Sequence, residues 1–250
     1  MRYVTARELN TVSLDTLRQI LAGPPEEAAE WILAAAESGV TEAQAVYGQM
    51  LLDGRGVERN PAEAVRWFSR ATRRDHPMAM NMLGRCYEHG WGVERSGVVA
   101  VYWYRLAAEQ GLDWGMYNYA TQLMIGSDVP NDRAQALSWL RKAADLGHAK
   151  SINIIGGFYE DGWEVDVDLN VACDCYRRAA EAGDFRGQFN YARLLAGAGQ
   201  VNEALLWLRK VPLTATQAFI DKMIDFLSHS STPAFRDYAE RLRNGSNVQA

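Results

Sequence analysis

The chain has 250 residues, of which 48% are hydrophobic and 23% are charged, and its formal net charge is −5. This composition supports a sizeable core and differs from that of a disordered chain. The acidic balance argues against a general binder of nucleic acids or anionic membranes. Residues 1–19 contain no apolar signal region, and no run reaches the roughly 18 apolar residues of a membrane span. We therefore expect a cytoplasmic protein that binds neither nucleic acid nor membrane.

Residues 1–25 are predicted to form an N-terminal cap. Within it, 13–22 can form a short helix with apolar residues on one side, ending before Gly23-Pro24-Pro25. The stretch EEAAEWILAAAESG (26–39) predicts a further helix. Trp31 lies 36 residues before Trp67, so 26–41 is interpreted as half of a repeat.

The repeat itself is visible in the tetrapeptide Gly-Val-Glu-Arg, which occurs at 56–59 and at 92–95, 36 residues apart. Small, aromatic and alanine residues recur at the same spacing. The register defines four full units of helix A, loop and helix B, and one shorter unit that has lost residues from its loop. The full units are 42–77, 78–113, 114–149 and 150–185, and the short unit is 186–216.

The start of helix B is marked in each full unit by a residue of the type that caps helices. These residues are Asn60, Ser96, Asp132 and Asp168. Their side-chain oxygens can accept an orphan N–H of the first turn. In the preceding loop, Gly56 and Gly92 allow a bend. Asp128 and Glu164 replace these glycines in the third and fourth units, so we expect a different loop there.

Residues 217–250 are predicted to form a C-terminal cap and tail, with a final helix pair over 216–228 and 233–243 and a frayed end over 244–250. The predicted fold is therefore all-α: a right-handed α–α superhelix, or solenoid, of 36-residue helix–loop–helix repeats with capping helices. We expect about twelve to fourteen helices in one domain over 1–250, as a monomer or weak dimer.

The repeat pattern resembles the Sel-one-like repeat family, a branch of the tetratricopeptide-like helical solenoids. The second unit carries it at Leu83-Gly84, Tyr87, Gly90, Gly92-Val93, Ser96, Ala100, Trp103-Tyr104, Ala107-Ala108 and Gly111. The resemblance covers 26–211 and weakens in the fourth unit, where Cys175 replaces the tryptophan, and in the fifth. It implies a concave surface, lined by helix A, that binds a protein or peptide.

Helix A positions that face such a groove form the candidate peptide-binding site. Its members are Asn81, Arg85, Trp114, Tyr117, Asn118, Asn153, Phe189, Asn190 and Arg193. An amide side chain can both donate to and accept from a peptide backbone, and the two arginines suit acidic groups. Alternatively, the row is only a solvated helix face, and both arginines pair internally with Glu88 or with a neighbouring repeat.

No pattern of catalytic or metal-binding residues occurs. The four histidines and three cysteines lack ligand spacing, and the glycine-rich loops lack the Gly-Lys-Ser/Thr ending of a phosphate loop. We therefore expect no enzyme activity, no cofactor and no metal, and we interpret the cysteines as free thiols.

The leading functional prediction is a cytoplasmic bacterial adaptor or scaffold that binds a protein or peptide partner. Two alternatives remain open at this point. One is an accessory protein of an iron-uptake or other enzyme or transport operon, which some small members of the family suggest. The other is a hydrolase, which would require an acid–base constellation in the folded groove.

Overall fold

The computed structural model describes residues 4–244 of the chain, and these residues contain fifteen α-helices and one 3-10 helix, Val211–Leu213. The α-helices are α1 (Ala6–Thr11), α2 (Leu14–Ala22), α3 (Pro25–Glu37), α4 (Thr41–Asp53), α5 (Pro61–Thr72), α6 (Pro77–His89), α7 (Gly97–Glu109), α8 (Asp113–Ile125), α9 (Arg133–Asp145), α10 (Ala149–Asp161), α11 (Leu169–Glu181), α12 (Phe185–Gly197), α13 (Val201–Leu208), α14 (Gln217–Ser228) and α15 (Pro233–Arg243). The predicted tail over 245–250 lies outside the described residues.

The expected number of helices was too low by one, because α1 was not predicted. This helix starts with a capping box: the Thr5 hydroxyl accepts from the Glu8 N–H at 3.2 Å, and the Glu8 carboxylate accepts from the Thr5 N–H at 2.8 Å. These two bonds satisfy orphan donors in a segment without helical apolar periodicity.

Two compact units make up the chain, an N-terminal unit ending at Trp139 and a C-terminal unit beginning at Leu140. In the N-terminal unit each helix from α3 to α7 packs against the next one in the chain, and α6 also packs against α8. In the C-terminal unit α10, α11, α12 and α13 pack in the same successive way, and α14 packs against α15. Packing between neighbours in sequence is the organisation of an α-solenoid.

Four helices named A in the sequence analysis carry the candidate residues: α6 and α8 in the N-terminal unit, and α10 and α12 in the C-terminal unit. Two of them, α6 and α10, pack against their B helices through a glycine and a tyrosine ring. A Cβ atom added at Gly84 would lie 2.5 Å from the Tyr104 ring, and one added at Gly156 would lie 2.6 Å from the Tyr176 ring. These glycines therefore set the close approach of A and B within a repeat, as the small residues predicted.

The capping residues predicted for the B helices are confirmed. Asn60, Ser96, Asp132 and Asp168 each accept a hydrogen bond from a backbone N–H in the first turn of the following helix. The expectation of a different loop in the fourth repeat is wrong at Glu164. Its φ is +59°, close to the +71° of Gly56 and the +72° of Gly92. Glu164 thus adopts the left-handed conformation that glycine provides elsewhere, at a cost of roughly 1–2 kcal/mol.

Candidate protein-binding surface

Two of the predicted asparagines, Asn81 of α6 and Asn118 of α8, bond to each other in the N-terminal unit. The Asn118 amide Nδ2 donates to Asn81 Oδ1 at 2.8 Å. Asn81 is only 4% exposed, whereas Asn118 is half-buried. The buried amide therefore orients the accessible one, and the carbonyl oxygen of Asn118 keeps its capacity to accept from a ligand.

The C-terminal unit repeats this arrangement two repeat lengths further along the chain. Asn190 Nδ2 of α12 donates to Asn153 Oδ1 of α10 at 2.9 Å, and Asn153 is buried. The predicted asparagine row thus consists of two bonded pairs, one in each unit. Within a pair, one amide holds the other in a single orientation, because a buried polar group is stable only when it is hydrogen-bonded.

Arg193 of α12 is held in an internal ion pair. Its Nη2 lies 2.5 Å from Glu160 Oε2 of α10, and the Tyr176 hydroxyl donates to the same carboxylate oxygen at 2.7 Å. The bond from Arg193 is the main reason that the pKa of Glu160 is lowered, and the bond from Tyr176 adds to it. The same carboxylate raises the pKa of Arg193. This arginine links two successive A helices, as the alternative interpretation of the site proposed.

Arg85 of α6 stands at the same repeat position as Arg193 and has different neighbours. Its guanidinium carbon lies 5.1 Å from the centre of the Trp91 ring, and Nη1 lies 3.9 Å from the Met82 sulfur. Within residues 4–244, no carboxylate forms an ion pair with Arg85. The half-buried guanidinium is therefore supported by a ring and a thioether, neither of which neutralises its charge.

Glu88, the carboxylate that Arg85 was considered to pair with, is bonded to other side chains. It accepts from the Tyr104 hydroxyl at 2.5 Å and from Gln122 Nε2 of α8 at 2.7 Å. Burial raises the pKa of Tyr104 far above its ordinary range, and the bond to Glu88 adds to that effect, so the phenol stays a donor. The Tyr104–Glu88 contact is equivalent to Tyr176–Glu160 two repeats later.

Sequence comparison between repeats contained a signal for this difference between the arginines. Arg193 pairs with Glu160, which lies 33 residues before it. The residue at the same distance before Arg85 is Leu52, which is buried and apolar. Arg85 therefore lacks the carboxylate that its equivalent has. Our sequence analysis did not draw this comparison, and it also missed Trp91 and Gln122.

The three predicted aromatic residues fall into two environments. Trp114, at the start of α8, is 38% exposed, and its ring meets Tyr117 edge to face at 6.0 Å. Phe189 of α12 instead packs against Phe219 and Phe226 of α14, at ring distances of 5.7 and 5.3 Å. Phe189 thus contributes mainly to packing in the C-terminal unit, while Trp114 and Tyr117 lie on the same helix as Asn118.

Residues 4–244 contain no group of three or more His, Cys, Asp or Glu side chains placed to hold a metal ion. The cysteines are free thiols, and burial raises the pKa of Cys86 to about 11, which keeps it protonated at neutral pH. No helix within this part of the chain has the length and apolar character needed to cross a membrane.

Comparisons with solved structures place this architecture among known proteins. The chain is similar to a Sel1 repeat protein from Oxalobacter formigenes, with a TM-score of 0.80 and 24% identity over 93% of this chain and 98% of that one. It is also similar to c5321, a protective antigen present in uropathogenic Escherichia coli strains and displaying an SLR fold. Here the TM-score is 0.73 and the identity 26%, over 95% of this chain and 53% of that one. This chain thus spans about half of c5321.

A more distant fold likeness exists to the immunity protein Pa5087 from Pseudomonas aeruginosa, with a TM-score of 0.57 and 17% identity over 83% of this chain and 80% of that one. A comparison with curated proteins finds no match. The Sel1 repeat model matches five segments: 25–40, 41–76, 77–112, 115–148 and 149–184. Proteins built from such repeats are generally protein-interaction scaffolds. These five matches cover more than half of the sequence, and the chain belongs to the Sel1 repeat family.

Proposed function

We propose that this chain is an adaptor that binds an extended acidic segment of a partner protein on the A helices of its N-terminal unit. The site, which we name the Arg85 surface, consists of Asn81, Arg85, Trp114, Tyr117 and Asn118. The observation that carries the proposal is the charge of Arg85. It is half-buried on α6 and forms no ion pair with any carboxylate of residues 4–244.

The chemistry around Arg85 supports a polypeptide ligand. Trp91 covers one side of the guanidinium, which leaves its N–H groups to bond a carboxylate of the partner. Arg is over-represented among the residues that dominate binding energy at protein interfaces, as are Trp and Tyr. An aspartate or glutamate side chain is the complementary group, because the part of the chain that the structure describes provides no carboxylate in an ion pair with Arg85.

The asparagine pair supplies the contacts that read a peptide backbone. Asn118 uses its amide N–H group to bond Asn81, so its carbonyl oxygen accepts from a main-chain N–H of the ligand. Trp114 offers an exposed ring for an apolar side chain of the same segment. The Arg85 surface thus combines one charge, one oriented amide and one aromatic anchor, which is the composition of a polar recognition site with a few strong contacts.

The test is affinity capture from the lysate of the host cell with the wild-type chain and with Arg85→Glu. We expect the variant to lose the partner and to remain folded, because within residues 4–244 Arg85 has no ion pair to break. Arg55→Glu, a charge reversal at an exposed loop arginine, is the matched control and should retain the partner. Recovery of the same partner at equal levels by all three proteins would overturn the proposal.

A further inference from the structure

A cleft of about 210 Å³ opens in the C-terminal unit, and its lining shares no residue with the Arg85 surface. One wall of the cleft is a face of α12. The opposite wall consists of the end of α14, the following turn and the start of α15. The lining includes Phe189, Arg193, Ala196, Phe226, Thr232 and Phe235. Its floor is apolar, since the buried side chains of Leu208 and Leu227 close it from below.

The cleft is explained by the lengths of the loops in this unit. In the first two full repeats, the loop between A and B spans 54–60 or 90–96, and its Val57 or Val93 packs against the core. The loop between α10 and α11 keeps this length, but the two loops beside the cleft span only 198–200 and 229–232, and their residues are Ala-Gly-Gln and His-Ser-Ser-Thr. Neither contains a large apolar side chain, so no valine fills the space beside α12.

The rim of the cleft provides hydrogen-bond donors without net charge. Arg193 uses Nη2 for its ion pair with Glu160, and a guanidinium has five N–H groups, so others remain. The Thr232 side chain makes no capping bond to α15, and Ser231 beside it is exposed. Because Glu160 already balances the charge of Arg193, an additional carboxylate would gain little attraction for the cost of its desolvation, whereas a neutral carbonyl oxygen would be accepted.

From this combination we infer that the cleft binds one aromatic side chain of a partner polypeptide, whose main-chain carbonyl oxygens are bonded at the rim by Arg193 from one wall and by Ser231 and Thr232 from the other. The volume suits a single ring, because an apolar cavity of about 150 Å³ accommodates benzene. Phe189, Phe226 and Phe235 line the space and allow edge-to-face contact with that ring. Such a pocket for one buried aromatic anchor is typical of the centre of protein interfaces.

This second site lies wholly in the C-terminal unit and does not depend on the Arg85 surface. Its ligand is neutral and aromatic at the point of contact, whereas the Arg85 surface selects an acidic group. The two inferences therefore fail separately. Arg85→Glu should leave the cleft unchanged, and filling the cleft should leave the charge and neighbours of Arg85 unchanged.

The probe for the test is N-acetyl-phenylalanine methylamide, added to the methyl-labelled full chain and followed by NMR. We expect saturable shifts of the methyl groups of Ala192, Leu208 and Leu227, which line the cleft. N-acetyl-alanine methylamide should bind at least about tenfold more weakly, because it lacks the ring. N-acetyl-phenylalanine, with a free carboxylate, should also bind more weakly than the neutral probe. Absence of saturable shifts, or shifts confined to other methyl groups, would overturn the inference.

Ala196→Leu fills the cleft from α12 and should abolish these shifts. Ala198→Leu adds the same side chain at an exposed residue outside the lining and should preserve them. Equal binding by both folded variants contradicts the inference. If Ala196→Leu melts at a lower temperature than wild type, the methyl shifts of the wild-type chain alone decide whether the cleft binds the aromatic probe.

Two other occupants would replace the proposed one. The first is a small aromatic compound. Phenol would then bind as tightly as the neutral probe, and the double variant Ser231→Ala with Thr232→Val would bind phenol and the probe with unchanged affinity. This result would show that the polypeptide inference is wrong. If sedimentation shows self-association of the wild-type chain that Ala196→Leu removes, the occupant is a second copy of the chain, and the inference of a different partner is wrong.

Discussion

Gly84 shows how one residue without a side chain sets the distance between two helices. The ring of Tyr104 occupies the space that a Cβ atom at position 84 would need, and the hydroxyl of the same tyrosine donates to Glu88 one turn further along α6. The small residue and the buried hydrogen bond therefore depend on each other. A shift of the ring to make room would lengthen the bond to Glu88.

We expect Gly84→Ala to lower the free energy of unfolding by about 1–3 kcal/mol, because it overpacks this contact. Gly157→Ala is the matched control. Its Cβ would lie 3.8 Å from the Tyr176 hydroxyl, which is ordinary contact distance, so the gain in helix propensity should stabilise the protein by up to about 1 kcal/mol. Urea unfolding measures both changes. Equal effects of the two substitutions would show that helix propensity, and not the Tyr104 ring, governs position 84.

Glu160 gives the chain a pH-dependent contribution to stability. The ionised carboxylate is stabilised in the folded state, chiefly by Arg193, so its pKa lies below the ordinary value of 4.5. A group with a lowered pKa stabilises the fold fully above its unfolded pKa, and this contribution is lost as the pH falls through the folded pKa. It is therefore present at neutral pH and declines below pH 4.5.

We expect Glu160→Gln to melt at a lower temperature than wild type at pH 7, and the difference to shrink as the pH is lowered to about 3. Thermal melts at a series of pH values provide the measurement. Glu164→Gln, which changes an exposed carboxylate in the adjoining loop, should show no such convergence. A difference between Glu160→Gln and wild type that stays constant from pH 7 to about pH 3 would exclude the ion pair as its source.

The candidate site was only partly predictable from the sequence at this scale. Asn81, Asn118, Asn153 and Asn190 were selected because they recur on helix A, and the structure joins them in pairs. The register alone treated Arg85 and Arg193 as equivalent. Their difference depends on the residues that face them from the preceding helix A, and those contacts become clear only when two repeats are placed side by side.

Among the helices, the B helix of each full repeat begins after one side chain that caps it. Asp168 is the clearest case, since its Oδ1 accepts from the N–H groups of Asn170 and Val171 at 2.9 and 3.1 Å. A carboxylate at a helix N-terminus also interacts favourably with the helix dipole. The capping residues were predictable because they combine a residue type with a fixed place in the repeat.

We expect Asp168→Ala to reduce the free energy of unfolding by about 0.5–2 kcal/mol through loss of the cap of α11. Asp166→Ala removes a charge from the same loop without removing a cap and should change stability by less than about 0.5 kcal/mol. The midpoint of guanidinium unfolding, with an unchanged slope, is the measurement. Similar shifts for the two variants would mean that charge in the loop, and not the cap, stabilises α11.

The α-solenoid fold was predictable for the whole molecule because the same pattern of apolar, small and capping residues recurs in successive repeats. Each 36-residue unit confirms the register of the others, so weak signals add up across the chain. The N-terminal end has no such support. The helix α1 is marked in the sequence only by its capping box, and no equivalent segment elsewhere in the chain provides a register that would reveal it.

Unequal burial along the chain predicts unequal local stability. None of the residues of α2 is buried, although it carries Leu14 and Leu21, whereas α6 buries seven residues in the N-terminal unit. Local opening of a helix with few buried contacts costs little free energy. We expect amide hydrogen exchange in α2 to be at least about 100-fold faster than in α6. Comparable protection of both helices would contradict this gradient.

The alternation of polar contacts between odd and even repeats bears on how such a chain can change its length during evolution. Asn81, Glu88 and Tyr104 of the second repeat have counterparts in the fourth, whereas Leu52 and Phe68 occupy the equivalent places in the first. Bonds between repeats join the second to the third, through Asn118–Asn81 and Gln122–Glu88, and the fourth to the fifth, through Asn190–Asn153 and Arg193–Glu160. A genetic duplication or deletion of two repeats joined in this way would keep these bonds. Loss of one repeat of such a pair would leave a polar side chain against an apolar one, so we expect these Sel1 repeats to be gained or lost in pairs.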